Sequence, residues 1–211
     1  MLILLGITGF FVYNKSEYKV GKTIEFGNYP QDKDGTEKPI EWIVMKNEGN
    51  QVLLLSKYVL DAKPYNNEEW GDVTWETSDI RQWLNNEFYT TAFNKAEKAK
   101  IQTSLTKNED NSKYGTSGGN DTEDKVFLLS EKEAETLFSN EEERIAKATE
   151  YAEKSGVYDE EKGAWWWLRS PGFGSRGAAE VDSDGWVYRV GNLVYIRPDG
   201  VRPALYLNLQ S

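Results

Sequence analysis

Residues 165–209 read WWWLRSPGFGSRGAAEVDSDGWVYRVGNLVYIRPDGVRPALYLNL, and this stretch decides the fold. Its two ends, residues 165–172 and 200–209, are rich in the aromatic and aliphatic residues that favour strands. Three consecutive tryptophans place two rings on one face of a strand and one on the other, which predicts a central strand buried on both faces. Pro171 and Pro203 are typical of strand ends and edges.

The middle of the stretch predicts a β-hairpin over residues 178–190, because Asp184-Gly185 is a strong turn signal. Alternation along the strands turns Val181 and Val187 toward the core. The side chains predicted on the opposite face are those of Glu180, Asp182, Trp186 and Tyr188.

Residues 191–200 repeat this arrangement, with Val194 inward and a turn at residues 197–200. The outward positions are Leu193, Tyr195 and Arg197.

An exposed set of aromatic and arginine side chains has the composition of a binding hot spot. Rigid aromatic rings also provide contact area at a low cost in conformational entropy. We therefore predict a ligand-binding face over residues 173–199. Its residues are Phe173, Arg176, Glu180, Asp182, Asp184, Trp186, Tyr188, Arg189, Asn192, Leu193, Tyr195 and Arg197. The alternative is an ordinary surface in which Trp186 packs on a neighbouring side chain.

Arg169 and Arg202 flank this middle region and allow two interpretations. They form an anion or carboxylate site, or their guanidinium groups bind loop carbonyls and buried carboxylates and so brace the strands. Both interpretations are left open by the sequence.

The rest of the chain predicts strands before helices. A strand over residues 23–31 and a hairpin over residues 40–60 come first, followed by a helix over residues 74–93 that Thr77 or Ser78 caps. The segments that follow are a short helix at 94–104, a polar loop at 106–124, a strand at 125–130, a helix at 130–138 with a Ser130/Glu133 capping box, and a helix at 141–156 that stops at Gly156. We expect one α+β domain over residues 20–211, with antiparallel strands at both ends of the chain and helices packed between.

Composition limits the chemistry. The chain has no Cys and no His, so thiol nucleophiles, disulfides and Cys or His metal sites are absent from its 211 residues. A net charge of −10 argues against nucleic acid as a partner. We expect no cofactor, no catalytic residue and no bound metal.

Residues 2–13, LILLGITGFFVY, form a strongly hydrophobic run that is shorter than the ~20 residues of a membrane-spanning helix. The polar residues 14–23 that follow are typical of a juxtamembrane stalk. We predict that residues 1–19 are a membrane anchor or export remnant that places the protein at the cell surface. A core strand or helix, or an assembly contact, is the alternative.

Two further clusters carry weaker signals. Asn120, Asp121, Glu123 and Asp124 offer oxygen ligands for calcium, although their spacing differs from that of an EF-hand and suits turn hydrogen bonds. Glu41, Glu76 and Asp79 lie near tryptophans and offer a carboxylate pair for glycoside cleavage, which makes a hydrolase the third functional hypothesis.

Nine motifs together resemble a bacterial domain of unknown function that is common in gut bacteria and their phages. Residues 165–172 and 200–209 are the most specific of them. The others, in order along the chain, are FGNYPQ, IEWIVM, LLLSKYVLDAKPYN, VTWETSDIRQWLNNEFYTTAF, KIQTS, GGNDTEDKVFLLS and ATEYAEKSG.

This resemblance implies a C-type-lectin-like fold related to formylglycine-generating enzymes, whose activity depends on cysteines that this chain lacks. Some members are variable proteins of diversity-generating retroelements, in which rewritten side chains form a binding face between fixed positions. The positions that would be fixed here are Ala178, Ala179, Val181, Gly185, Val187, Gly191, Val194 and Gly200.

Together these observations predict a noncatalytic receptor or adhesion domain that binds a protein or a surface glycan. A self-assembling surface or structural protein, in which the exposed aromatics form a subunit contact, is the second hypothesis.

Overall fold

A computed structural model describes residues 17–69, 71–196 and 198–210. These residues form a mixed α+β structure that consists mostly of sheet, with short helices between strands from both ends of the chain. The predicted α+β class is therefore confirmed.

The first sheet joins the two ends of the chain. Its five strands lie in the order β1-β2-β3-β12-β5, and all neighbouring pairs are antiparallel. The strands are β1 Thr23–Pro30, β2 Glu37–Asn47, β3 Gln51–Ser56, β5 Ile101–Gln102 and β12 Ala204–Asn208. The predicted β2–β3 hairpin is confirmed.

The second sheet contains the stretch that opens with three tryptophans. Its five strands lie in the order β10-β9-β8-β11-β4, with β8 in the centre and β11 parallel to β8. The strands are β4 Asp61–Lys63, β8 Trp166–Pro171, β9 Gly177–Val181, β10 Val187–Leu193 and β11 Asp199–Val201. A two-stranded ribbon of β6 Ser104–Thr106 and β7 Thr122–Asp124 lies apart from both sheets.

The helices are short, and several begin at the capping residues that the sequence predicts. Ser78 caps the first, and Ser130 and Glu133 form a complete capping box at the fourth. They are α1 Asp79–Trp83, a π-helical turn Leu84–Phe88, α2 Tyr89–Ala92, α3 Lys95–Lys100, α4 Glu131–Thr136, a 3₁₀ turn Glu142–Arg144 and α5 Glu150–Lys154.

Strand β8 is buried on both faces, as predicted. Trp166 and Trp167 are fully buried, and alternation along the strand points them to opposite sides. On one side the ring of Trp167 lies 5.6 Å from that of Tyr65, and its indole N–H donates to the carbonyl of Lys63. On the other side Trp166 lies beneath the guanidinium group of Arg202, 4.9 Å from the ring centre.

The two arginines brace the structure. Arg202 is buried and donates to the carbonyl oxygens of Ser56 and Arg144. Burial lowers the pKa of Arg202 to about 9, because a low-polarity environment penalises the charged form. The aromatic ring beneath the guanidinium group and the two hydrogen bonds offset this cost.

Arg169 makes a second brace, with its guanidinium group donating to the carbonyls of Leu128 and Lys107 and paired with Glu133. The bracing interpretation of both arginines is thus confirmed, because their donors are bound to backbone oxygens and to one carboxylate.

Several predicted elements are wrong. Residues 199 and 200 of the turn predicted at 197–200 belong to strand β11, because they pair with β4, and the helix predicted at 94–104 ends at Lys100, where β5 follows. Residues 125–130 do not form a strand. The side-chain amide of Asn85 accepts from the backbone N–H of Lys125 and donates to the carbonyl of Val126. Beyond these bonds, an isolated bridge joins Phe127 to Ala204.

The predicted helix over 141–156 breaks at residues 145–149, because this segment is bonded to the backbone of Val59. The N–H of Val59 donates to the carbonyl of Lys147, and its carbonyl accepts from the N–H of Thr149.

The predicted anchor falls almost entirely outside the described residues, since residues 1–16 are not among them. Within the described ranges, no helix combines the length and apolar character needed to cross a membrane.

The ion pair between Glu133 and Arg169 yields a pH-dependent prediction. Burial opposes ionisation of Glu133, but the charge of Arg169 and hydrogen bonds from Arg169 and Ser130 outweigh it and lower the pKa of this carboxyl. We expect Glu133→Gln to lower the free energy of unfolding at pH 7 by about 2 kcal/mol, because it leaves Arg169 buried without its carboxylate.

A carboxyl group whose pKa is lower in the folded chain contributes stability above its unfolded pKa and loses it as the pH falls through the folded pKa. The difference between wild type and Glu133→Gln should therefore be complete above about pH 5 and shrink in acid. Urea titrations across this range test the expectation, with the exposed Glu153→Gln as control. A difference that stays constant down to acid pH would contradict it.

Candidate ligand-binding face

Exposed hydrophobic side chains concentrate in one segment. Among the described residues, five of the eight exposed large hydrophobics lie within residues 173–196, including Phe173 at 66% and Ile196 at 62% exposure. The others in this segment are Trp186, Val190 and Leu193. We call residues 173–196 the candidate face, since a concentration of exposed apolar side chains is typical of interaction sites.

The predicted hairpin forms the centre of the candidate face. Strands β9 and β10 pair antiparallel, with Val181 opposite Val187 and both side chains buried. Strand β10 is the edge of the second sheet, so no further strand pairs with its outer side.

The backbone of the candidate face is held tightly. The side chains of Ala178, Ala179 and Val194 are buried, as the alternation predicts for Val194. Gly191 has φ +68°, and a Cβ atom there would overlap the carbonyl oxygen of Ala178. Gly185 has φ +84°, and a Cβ atom there would overlap the carbonyl oxygen of Glu141. Larger residues at these positions would therefore disturb the backbone, whereas the exposed positions impose no such limit.

Four aromatic rings form a continuous row at one end of the candidate face. The ring centres are 6.1 Å apart for Tyr158 and Trp165, 5.8 Å for Trp165 and Tyr188, and 5.9 Å for Tyr188 and Trp186. Trp186 and Tyr188 were predicted here, but Trp165 was assigned to the core and Tyr158 was missed. Trp165 precedes the first residue of β8 and is only half-buried, whereas Tyr158 lies in an acidic loop without any periodic signal.

Phe173 marks the other end. Its ring meets that of Tyr114 edge-on at 5.0 Å, its N–H donates to the carbonyl of Val190, and its carbonyl accepts from the hydroxyl of Thr116. The backbone of Phe173 is thus fixed beside β10 while the side chain stays exposed.

A polar loop borders this second end. The backbone N–H of Asn66 donates to Val194, that of Val73 donates to Ser175, and the hydroxyl of Tyr195 reaches a carboxylate oxygen of Glu69 at 3.4 Å. A shallow cavity of about 400 Å³ opens in this loop. Its lining residues are Asn66, Asn67, Glu68, Gly71, Asp72, Val73, Thr77 and Asp79.

The prediction that Glu180 points to solvent is wrong. Glu180 is fully buried and lies between Trp167 and Tyr188 in neighbouring strands, where its carboxylate accepts from Asn192 at 2.9 Å. The outward side of β9 is covered because Trp167 and Tyr65 build a second packed layer there. Simple alternation therefore fails for this strand.

Several other predicted residues act within the protein. The carboxylate of Asp182 accepts from the backbone N–H groups of Asp184 and Trp186, which closes the turn. The side chain of Asp184 is exposed and paired with Lys162 at 2.6 Å. Arg189 is only partly exposed and binds residues outside the candidate face: Ser112, Glu131 and Glu135.

Glu180 is the one buried member of the predicted set among the described residues. The members that reach the surface at least in part are Phe173, Arg176, Asp182, Asp184, Trp186, Tyr188, Arg189, Asn192, Leu193 and Tyr195. Arg197 lies outside the described residues.

The oxygen-rich residues in the 106–124 loop already have partners. Asp121 accepts from Asn108 N and pairs with Lys107, and buried Asp124 accepts from Trp75 and Arg81. Across residues 17–69, 71–196 and 198–210, no group of three or more acidic side chains is placed to hold a metal ion.

The three candidate hydrolytic carboxylates have separate partners. Glu41 on β2 pairs with Lys57 at 2.6 Å. Glu76 accepts from the amide of Asn120, and Asp79 accepts from the backbone and side chain of Asn67.

These features define a mixed α+β protein, mostly of sheet, that carries an exposed apolar face on an edge hairpin. The chain belongs to the family described as a domain of unknown function, DUF6273, whose model matches residues 49–209. The predicted resemblance to a domain of unknown function is confirmed at this level, and the match includes the whole candidate face. Comparison with curated proteins and with solved structures gave no match.

The close packing at Gly191 predicts a specific loss of stability. We expect Gly191→Ala to lower the free energy of unfolding by at least about 2 kcal/mol, because the residue has a positive φ and its Cβ would overlap backbone. Gly174→Ala in the nearby turn is the control, since a Cβ there meets nothing within 4 Å. Its effect should stay within about 0.5 kcal/mol in urea denaturation. Equal effects of the two substitutions would contradict the assignment of Gly191 as a packing constraint.

Proposed function

We propose that this protein is a noncatalytic ligand-binding domain of the receptor or adhesion type, and that the candidate face contacts a protein or a surface glycan. One observation carries the proposal. Within residues 173–196, a backbone held by buried alanines, valines and close-packed glycines presents exposed aromatic and aliphatic side chains.

The combination of a fixed backbone with exposed side chains has a physical consequence for recognition. A rigid backbone limits the entropy lost when a ligand orders the contact surface, and exposed aromatic rings contribute most of the contact energy in many interfaces. Substitution of the exposed side chains changes the contact surface while the buried positions preserve the fold. Binding segments placed on rigid scaffolds follow the same pattern.

The proposal extends to the lectin-like fold and to diversification. The motifs at residues 165–172 and 200–209 support membership of a C-type-lectin-like group with variable members, and the positions expected to be fixed are largely buried. Residues 1–19 would display the domain outside the cytoplasm.

Sequencing of this locus across many isolates tests the diversified face. We expect differences to concentrate at exposed positions of the candidate face, such as Phe173, Trp186 and Leu193. Residues 165–172 and 201–205 should stay constant, because all of them except the half-buried Trp165 belong to the buried centre of the structure. Differences spread evenly along the chain would contradict diversification.

A pair of tryptophan substitutions tests the division between the exposed and buried roles. Trp186→Ala should change the free energy of unfolding by less than about 1 kcal/mol, because the ring is 48% exposed. Trp167→Ala should cost about 3 kcal/mol or more, because it leaves a cavity in the centre of the protein. Thermal and urea unfolding measure both. A large loss for Trp186→Ala would assign this ring to the fold rather than to a ligand.

Binding itself is tested with the labelled domain on arrays of glycans and peptides, compared with the variant Phe173→Ala/Trp186→Ala. Loss of binding in this folded variant supports the proposal, and unchanged binding contradicts it. Size-exclusion chromatography distinguishes the second hypothesis, because a subunit contact would make the oligomeric state depend on the same two residues.

A further inference from the structure

We propose that the ligand of the candidate face is a protein whose apolar contact patch is bordered by lysine and arginine, rather than a glycan. This inference rests on the proposed function and names the class of ligand. Three features of the described residues lead to it: the existing hydrogen bonds of the polar groups, the inclination between the aromatic rings, and the charge of the flanking loops.

Several polar side chains of the candidate face already have partners within the protein. The hydroxyl of Ser183 is hydrogen-bonded to Glu160, and the amide of Asn192 donates to Glu180. The carboxylate of Asp182 accepts two backbone N–H groups. A sugar presents many hydroxyl groups that need partners when they are desolvated, and these side chains would have to give up existing bonds to supply them.

The aromatic row also lacks a flat platform for sugar rings. Successive rings are inclined by 63° between Tyr158 and Trp165, 78° between Trp165 and Tyr188, and 54° between Tyr188 and Trp186. A sugar chain stacked along the row would need neighbouring rings that lie nearly parallel. Inclined rings instead form an uneven apolar surface into which protein side chains fit.

The rest of the apolar surface is aliphatic as well as aromatic. Val190, Leu193 and Ile196 are exposed in the same segment, and the backbone N–H of Phe173 donates to the carbonyl of Val190. An apolar centre that is depleted of free charge and surrounded by polar residues is the usual anatomy of a protein interface. Two of the charged side chains in this region are paired, since Arg189 lies against Glu131 and Glu135 and Asp184 pairs with Lys162.

Acidic loops border the candidate face at both ends. At one end Glu68, Glu69 and Asp72 belong to the loop that contacts Ser175 and Tyr195. These three carboxylates lie within five residues of the chain, and Arg176 directly follows Ser175, which this loop contacts.

At the other end residues 159–161 are Asp, Glu and Glu, and this loop contacts the hairpin turn through Glu160 and Ser183. The whole chain carries a net charge of −10. This field attracts a partner with a basic border and repels sulfated or sialylated glycans and anionic membranes.

Selection from a random peptide phage library on the full-length protein tests the inference, with counter-selection on Phe173→Ala/Trp186→Ala. The enriched peptides, made synthetically, serve as probes for affinity measurements. We expect them to combine aromatic or aliphatic residues with lysine or arginine. Their affinity should fall about tenfold between about 50 mM and about 300 mM NaCl, because salt screens the acidic border.

A neutralised variant, Glu68→Gln/Glu69→Gln/Asp72→Asn, should bind these peptides about tenfold more weakly, since it removes three carboxylates from exposed loop positions. The matched control neutralises three exposed carboxylates on strands outside the candidate face, Glu25, Glu37 and Glu123, and should change affinity by less than about twofold. An equal loss in the two variants would mean that total charge rather than the border attracts the peptides, and would overturn the inference.

The remaining outcomes separate the inference from the proposed function. Face-dependent peptides that are acidic or insensitive to salt would overturn the basic partner but retain a binding face. Face-dependent binding on a glycan array, without face-dependent peptides, would replace the protein ligand with a sugar. Absence of any face-dependent peptide or glycan would overturn both proposals.

Discussion

The two-sided burial of β8 is the constraint on which the rest of the structure depends. Trp166 and Trp167 fill both faces of this central strand, so the second sheet is covered on both sides. Polar groups at such a depth need internal partners, and Arg169 and Arg202 satisfy backbone carbonyls that water does not reach. The same arginines join β8 and β11 to distant loops, which makes the packing of the centre interdependent.

This centre explains how the edge hairpin combines rigidity with exposed apolar side chains. Strand β9 pairs with β8, and β10 pairs only with β9 and packs against α4 through Arg189 and its two carboxylates. The backbone of the hairpin is therefore fixed by the pairing of β9 with β8 and by the packing of β10 against α4. Side chains on this hairpin, such as those of Trp186 and Val190, are exposed although its backbone is fixed.

Features that depend on nearby residues were predictable. The turn at Asp184-Gly185 forms because a glycine there accepts a positive φ, and the helix cap at Ser130 and Glu133 requires only a spacing of three residues. The inward positions of Val181 and Val187 follow from strand periodicity. Trp186 and Tyr188 were found in the same way, whereas Phe173 was predicted from the aromatic composition of the stretch.

The amino-acid sequence by itself determined the α+β class, the hairpin, the caps and the apolar composition of the face, because each depends on short-range backbone preferences. Tertiary structure alone decided the burial of Glu180, the break of the helix at residues 145–149, and the contact of Trp165 with Tyr188. Each of these depends on a partner far along the chain. A second packed layer over β9 and long-range backbone hydrogen bonds override the local pattern, and periodicity carries no information about either.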